Sequence, residues 1–211
     1  MSRRSRWPSP LPASEVEKGD IGRIRGMSGM QEFRMLRQTY VSLRWLGIVV
    51  VVLLVGWLTL RPADAMIGKP APDIANATWL NSAPLRMADL RGKVVMVEFW
   101  TFGCYNCRNV EPYVKEWHRH YADQGLVVIG VHSPEFSHER KIENVKWYMK
   151  EHDIRFPVPI DNEFSTWNRY GNRYWPAMYL IDKRGIIRYV RIGEGGYGET
   201  ELQIQALLSE R

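Results

Sequence analysis

Cys104 and Cys107 are the only cysteines in 211 residues, and they stand two residues apart in Phe99-Trp100-Thr101-Phe102-Gly103-Cys104-Tyr105-Asn106-Cys107. Two thiols at this spacing can exchange a dithiol for a disulfide. An apolar, β-forming run, Val94 to Trp100, precedes them, and a helical stretch from Asn109 to His120 follows. A strand-to-helix junction puts the first sulfur at a helix N-terminus. There, unpaired backbone N–H groups and the positive end of the dipole favour a thiolate. The second sulfur falls one turn further in, within reach of the first. A purely structural disulfide would clamp distant segments, because stabilisation grows with the loop closed, and a CxxC ring closes almost none. Zinc asks for about four ligands, and there is no second CxxC. His118 and His120 are two helix positions apart and face different ways. Redox chemistry is the leading reading, with metal binding and an inert pair as its competitors.

The elements that position this pair belong to one domain preceded by something extra. Trp45 to Leu60 is an uncharged run of 16 residues bounded by Arg44 and Arg61. At about 1.5 Å per residue it spans about 24 Å, short of a hydrocarbon core of about 30 Å. Extension back to Tyr40, with Arg44 snorkelling, lengthens it, and Trp45 and Trp57 lie near its ends as interfacial aromatics do. Residues 40–65 therefore read as a short transmembrane anchor or a signal-peptide core. Ala63-Asp64-Ala65 offers an A-x-A cleavage pattern, against which Arg61 argues. Residues 1–39, with Arg3-Arg4, Pro8, Pro10 and Pro12, lack apolar periodicity and read as a disordered basic arm. If translation began at Met35 instead, a conventional signal-peptide layout would remain.

The charge is uneven. Positions 1–44 carry nine Lys/Arg against four Asp/Glu, while 66–211 carry 19 against 18. The positive-inside rule keeps the arm in the cytoplasm and exports the cysteine-bearing domain, with the membrane as a partner. A near-neutral domain gives no reason to invoke nucleic acid.

Residues 66–211 suit one compact domain. Lys93–Trp100 and Leu126–His132 read as buried strands around a helix from about Cys104 to Asp123. A second helix, about Glu139–His152, precedes the extended Pro157–Ile160. Met178–Ile181 and Ile186–Ile192 flank the turn Asp182-Lys183-Arg184-Gly185 as a hairpin, and Glu199–Ser209 closes as a helix. The expected fold is α/β, a central mixed sheet flanked by helices, with the N-terminal hydrophobic segment outside it.

That order, with CxxC opening the first long helix, resembles the thioredoxin superfamily. Glu98, six residues before Cys104, matches the family's buried acid. Pro112, five after Cys107, matches its helix kink. Trp175-Pro176 matches its cis-proline, and Phe99-Trp100 the aromatic pair before the motif. The long stretch Leu126–Ile160 resembles the central insertion of exported TlpA/ResA-type proteins. Gly130–Phe136, Tyr170–Pro176 and Gly193–Tyr197 are similar to the thioredoxin domain of DipZ-type membrane proteins, although Tyr105-Asn106 replaces thioredoxin's Gly-Pro. The likeness covers nearly all of 70–208.

The resemblance implies an exported thiol–disulfide oxidoreductase that needs no cofactor and holds no metal. Cys104 attacks a substrate disulfide and Cys107 resolves the mixed disulfide. Glu98, buried on the strand face it shares with Met96 and Trp100, exchanges the proton. Pro176 would hold the Trp175 backbone beside the sulfurs for an extended substrate, with Trp100, Tyr105 and Trp175 as an apolar rim. His132 ends a strand and is read as a local hydrogen-bonding residue. The partners implied are disulfide-bearing proteins, apocytochrome c cysteines among them, and a membrane electron donor of the CcdA/DsbD type. A disulfide-forming oxidase would use the same fold, and a copper or zinc metallochaperone the same CxxC. A peroxiredoxin would show Pro-x-x-x-Thr-x-x-Cys, but Val97 stands at the proline position.

Overall fold

Val94–Trp100 is seven residues of apolar and β-branched character with a single acid, and every one of them is buried. Such a strand belongs in a sheet covered on both faces. The computed structural model describes residues 45–51 and 66–210, and it places this strand centrally in a four-stranded sheet. The elements are β1 (Trp79–Leu80), β2 (Val94–Trp100), α1 (Tyr105–Tyr121), β3 (Leu126–His132), α2 (Ile142–Glu151), β4 (Val158–Pro159), α3 (Ser165–Arg169), β5 (Ala177–Ile181), β6 (Ile187–Ile192) and α4 (Tyr197–Ser209). The strand order is β3-β2-β5-β6, with β3 parallel to β2 and the other pairs antiparallel. The short strands β1 and β4 pair beside it, and Ile160 bridges to His132 at the end of β3.

Strand alternation sorts the core into two clusters. Val94, Met96, Trp100, Val128, Met178 and Leu180 pack with Cys107, Val110 and Val114 of α1, Val145 of α2 and Ile204 of α4. Val95, Val97, Phe99, Ile129, Tyr179 and Ile181 pack with Trp167 of α3, Tyr170 and Ile74. The α/β reading therefore stands. The second helix differs from the sequence expectation. Residues Ser137–Arg140 form a separate 3-10 turn and α2 starts only at Ile142, because the Glu139 side chain turns back onto backbone amides of its own turn. Two short helical segments, Met87–Leu90 and α3, were not foreseen.

Residues 45–51 are helical, with exposed side chains. The rest of the apolar run, and the N-terminal arm expected to be disordered, lie outside the described residues. Among the described residues no helix is long and apolar enough to cross a membrane.

Candidate active site

The turn Thr101–Gly103 carries the chain from β2 to α1 and ends at Cys104, which is the helix N-cap. Its backbone is extended, at φ −74° and ψ 117°, and its Sγ accepts a hydrogen bond from the Cys107 amide at 3.2 Å. A sulfur here takes the place of the Ser or Asp oxygen that ordinarily satisfies an orphan helix N–H. Both thiols are free in the structure, Cys104 half-buried and Cys107 buried.

The two sulfurs are electrostatically unlike. The Cys107 thiol and the Cys107 and Asn106 amides bond to Cys104 Sγ and pull its pKa down to about 7, against opposition from partial burial and the Glu135 charge. Burial pushes Cys107 far up, and donation to a Cys104 thiolate pushes the same way. The thiolate is the nucleophile in thiol–disulfide exchange. At neutral pH the outer sulfur is thus available for attack and the inner one holds its proton.

Glu98 lies on the α1 side of β2 with 3% of its surface exposed. Burial, then the charge of Glu111, then that of a Cys104 thiolate, raise its pKa to about 8. Its charge in turn disfavours a Cys107 thiolate. A carboxyl raised this far can take up or give back a proton near neutral pH.

The Trp175–Pro176 peptide is cis. The Trp175 indole N–H donates to Ser133 O at 3.0 Å, and its ring lies 4.3 Å from that of Trp167, so the loop before β5 is tied to the end of β3. Tyr105 is exposed beside the motif, with the Arg108 guanidinium 6.0 Å from its ring centre. Trp100 does not reach a rim. It is 4% exposed in the core beneath the motif, edge-on to His132, because period-2 alternation turns it under α1 with Met96. His132 makes the local bond expected of it, to Thr101 Oγ1 at 3.2 Å, and burial lowers its pKa to about 4. Pro112 interrupts α1 without ending it.

Buried acids near the motif, Glu111 and Glu139, are not evident from the sequence. Glu111, one turn beyond Cys107, accepts from Tyr148 Oη at 2.8 Å and pairs with Lys115 at 3.0 Å and His152 at 3.1 Å. Its spacing of four from Cys107 on an amphipathic helix was the available signal. Glu139 bonds the backbone next to Cys104. Only a capping-type acid three residues after Phe136 hinted at it. Among the described residues no group of three or more His, Cys, Asp or Glu side chains is placed to hold a metal.

Residues 67–190 match the model of the AhpC/TSA family. The chain belongs to the AhpC/TSA family. The match spans β1 to β5, both cysteines and the Trp175–Pro176 peptide. The protein DipZ of Mycobacterium bovis is 44% identical over 144 residues, which is 66% of this chain and 21% of DipZ. The chain thus spans about a fifth of the length of that relative. The thiol-disulfide oxidoreductase YkuV of Bacillus subtilis is 30% identical over 143 residues, 67% of this chain and 96% of YkuV. Among solved structures, a thiol-disulfide isomerase from Corynebacterium glutamicum superposes with a TM-score of 0.61 at 34% identity, covering 67% of this chain and 98% of its own. The fold is thioredoxin-like.

Proposed function

We propose that this chain is a membrane-tethered, extracytoplasmic dithiol reductant of protein disulfides. The observation that carries the direction is the Cys104 pKa of about 7. Thioredoxin, a reductant at about −270 mV, has its attacking cysteine near about 7, whereas the strong oxidant DsbA, at about −120 mV, has one near about 3.5. A thiolate that is only modestly stabilised leaves the disulfide the preferred resting form, so electrons flow out to substrate.

In this reading Cys104 thiolate attacks one substrate sulfur, forming a mixed disulfide and expelling the other as thiolate. Cys107, deprotonated by Glu98, then attacks Cys104. The substrate sulfur bonded to Cys104 leaves as thiolate, and the Cys104–Cys107 disulfide remains. Two electrons have passed to the substrate. A membrane electron-transfer protein of the CcdA/DsbD type returns them. An extended substrate strand lies against the Trp175–Pro176 backbone, with Tyr105 as an apolar contact beside it. The run within 40–65 supplies the tether, the arm before it stays cytoplasmic, and haem-site cysteines of apocytochrome c are a fitting client class.

The deciding measurement is the reduction potential of the full chain, equilibrated in glutathione buffers and read by alkylation of the free thiols. A value near about −270 mV is expected. A value near about −120 mV would make the chain an oxidase and overturn the reading.

A further inference from the structure

Glu139 is fully buried, yet it belongs to neither the CxxC helix nor the strand beneath it. Its Oε2 accepts from the amides of Glu135 at 2.6 Å and Phe136 at 2.7 Å, closing the 3-10 turn. Its Oε1 is not spent on that turn. It reaches 36 residues back to accept the amide of Gly103 at 2.7 Å. Gly103 immediately precedes the N-cap sulfur. One carboxyl group therefore joins two segments of different origin: the turn that presents Cys104, and the Pro134–Phe136 loop after β3.

The contact explains a glycine. Gly103 needs no left-handed backbone, but a Cβ there would lie 2.3 Å from Glu139 Oε1 and 3.4 Å from the Phe136 ring. Only a residue without a side chain lets the carboxylate approach so closely. Burying a carboxylate on backbone donors is costly unless each bond is made, and a surface turn closed by Glu135 and Phe136 alone would not require it to be buried.

We propose that Glu139 is a positioning residue, a clamp that fixes the Thr101–Gly103 turn against the Pro134–Phe136 loop and thereby holds Cys104 Sγ in line with the α1 amides. The loop it fastens carries an exposed acid, Glu135, and an exposed ring, Phe136, to the edge of the site. The clamp thus also decides what a substrate meets beside Cys104: a negative charge and an aromatic face. The groups that face the sulfur are Cys107 from α1, Glu98 from β2 and Glu135 from the clamped loop. Glu139 acts on Cys104 through position, since it bonds the neighbouring amide and not the sulfur.

This inference rests on Cys104 being the attacking thiol, and two substitutions separate it from that reading. In Glu139→Gln the amide oxygen can keep the Glu135 and Phe136 donors only by turning its own NH2 against the Gly103 N–H, so the clamp is lost together with the charge. Gly103→Ala pushes the carboxylate away but leaves the charge in place. Iodoacetamide alkylation of the reduced full chain between pH 5 and 9 reads Cys104 ionisation. Both variants are expected to move the midpoint from about 7 toward the ordinary thiol value of about 8.5, with at least about tenfold slower alkylation at pH 6. A merely structural contact would change melting without changing that profile. An unchanged midpoint in both variants overturns the clamp. So does a fall confined to Glu139→Gln, which would mark a through-space charge effect. If Glu139→Gln does not fold, Gly103→Ala alone decides. Wild-type chain that alkylates normally but reduces no protein disulfide would instead sink the proposed function and leave the clamp standing.

Discussion

Odd-numbered residues of β2 and even-numbered ones share a backbone but enter different surroundings. Val95, Val97 and Phe99 enter a cluster in which the Phe99 ring meets those of Trp167, Tyr170 and Tyr179 edge-on, at 5.4–5.7 Å between centres. The polar tips there are accounted for, with Tyr170 Oη donating to Pro72 O at 3.0 Å and Tyr179 Oη to Asn172 Oδ1 at 3.3 Å. Met96, Glu98 and Trp100 enter the space beneath α1, with Cys107. On that side the indole N–H of Trp100 is buried without a partner, and the Glu98 carboxyl is held toward its neutral form by everything acting on it. One face is a satisfied aromatic core, and the other keeps polar groups under tension beside two sulfurs. Local rules are broken where chemistry is done and kept where the sheet is merely held together.

The sharpest way to break that contrast is Glu98→Ala. Removing the carboxyl should leave the first attack by Cys104 nearly intact and slow resolution by Cys107 near pH 7, by about 10²–10⁴-fold, the usual range for general-base catalysis. The deficit should shrink as pH rises past the Glu98 value of about 8, where added hydroxide replaces the lost base. Stopped-flow measurement of both steps from pH 6 to 9 tests this. A resolution rate untouched across the range would remove Glu98 from the mechanism and erase the difference between the two faces.

Phe99→Ala probes the other face. Truncating a fully buried phenylalanine costs about 3–5 kcal/mol of stability, and here three edge-on aromatic contacts go with it. Chemical denaturation should record that loss, while the alkylation midpoint of Cys104 in the folded variant stays near 7. A midpoint that moved with Phe99 would show the two faces to be coupled through the strand.

How much of this contrast could be read from the chain follows from the range of each interaction. CxxC after a β-branched run, the acid six residues earlier and the hairpin around Asp182–Gly185 are local patterns, and all three stand where expected. The burial of Glu98 followed from alternation, but the same alternation buried Trp100, which had been assigned to the rim. An aromatic that looks like a substrate contact beside a motif is apolar area first, and the sheet decides its side. Glu139 was out of reach because its partner lies 36 residues away and is a backbone amide, which has no signature of its own. The start of α2 was misplaced for the same reason: a carboxylate recruited to another segment cannot also serve as an ordinary helix residue.

The last expected effect is a slope. Glu98 has a folded pKa raised to about 8, and an unfolded glutamate titrates near about 4.3. Between those values the unfolded chain releases a proton that the folded one keeps, so the unfolded state binds fewer protons and stability falls as pH rises. Below about 4.3 both states are neutral and the residue contributes no penalty. Through about 8 the penalty reaches its full size. Glu98→Gln keeps the shape and removes the titration, so its melting temperature, compared with that of the reduced wild-type chain, should gain steadily from pH 5 to pH 8. Cys107, whose thiol is pushed up in the fold, is present in both proteins, so its own titration is shared by the two curves being compared. The check is paired thermal melts at three or more pH values. Parallel curves would mean that Glu98 ionises as easily inside the fold as outside it, and the polar face of β2 would then hold no strained acid at all.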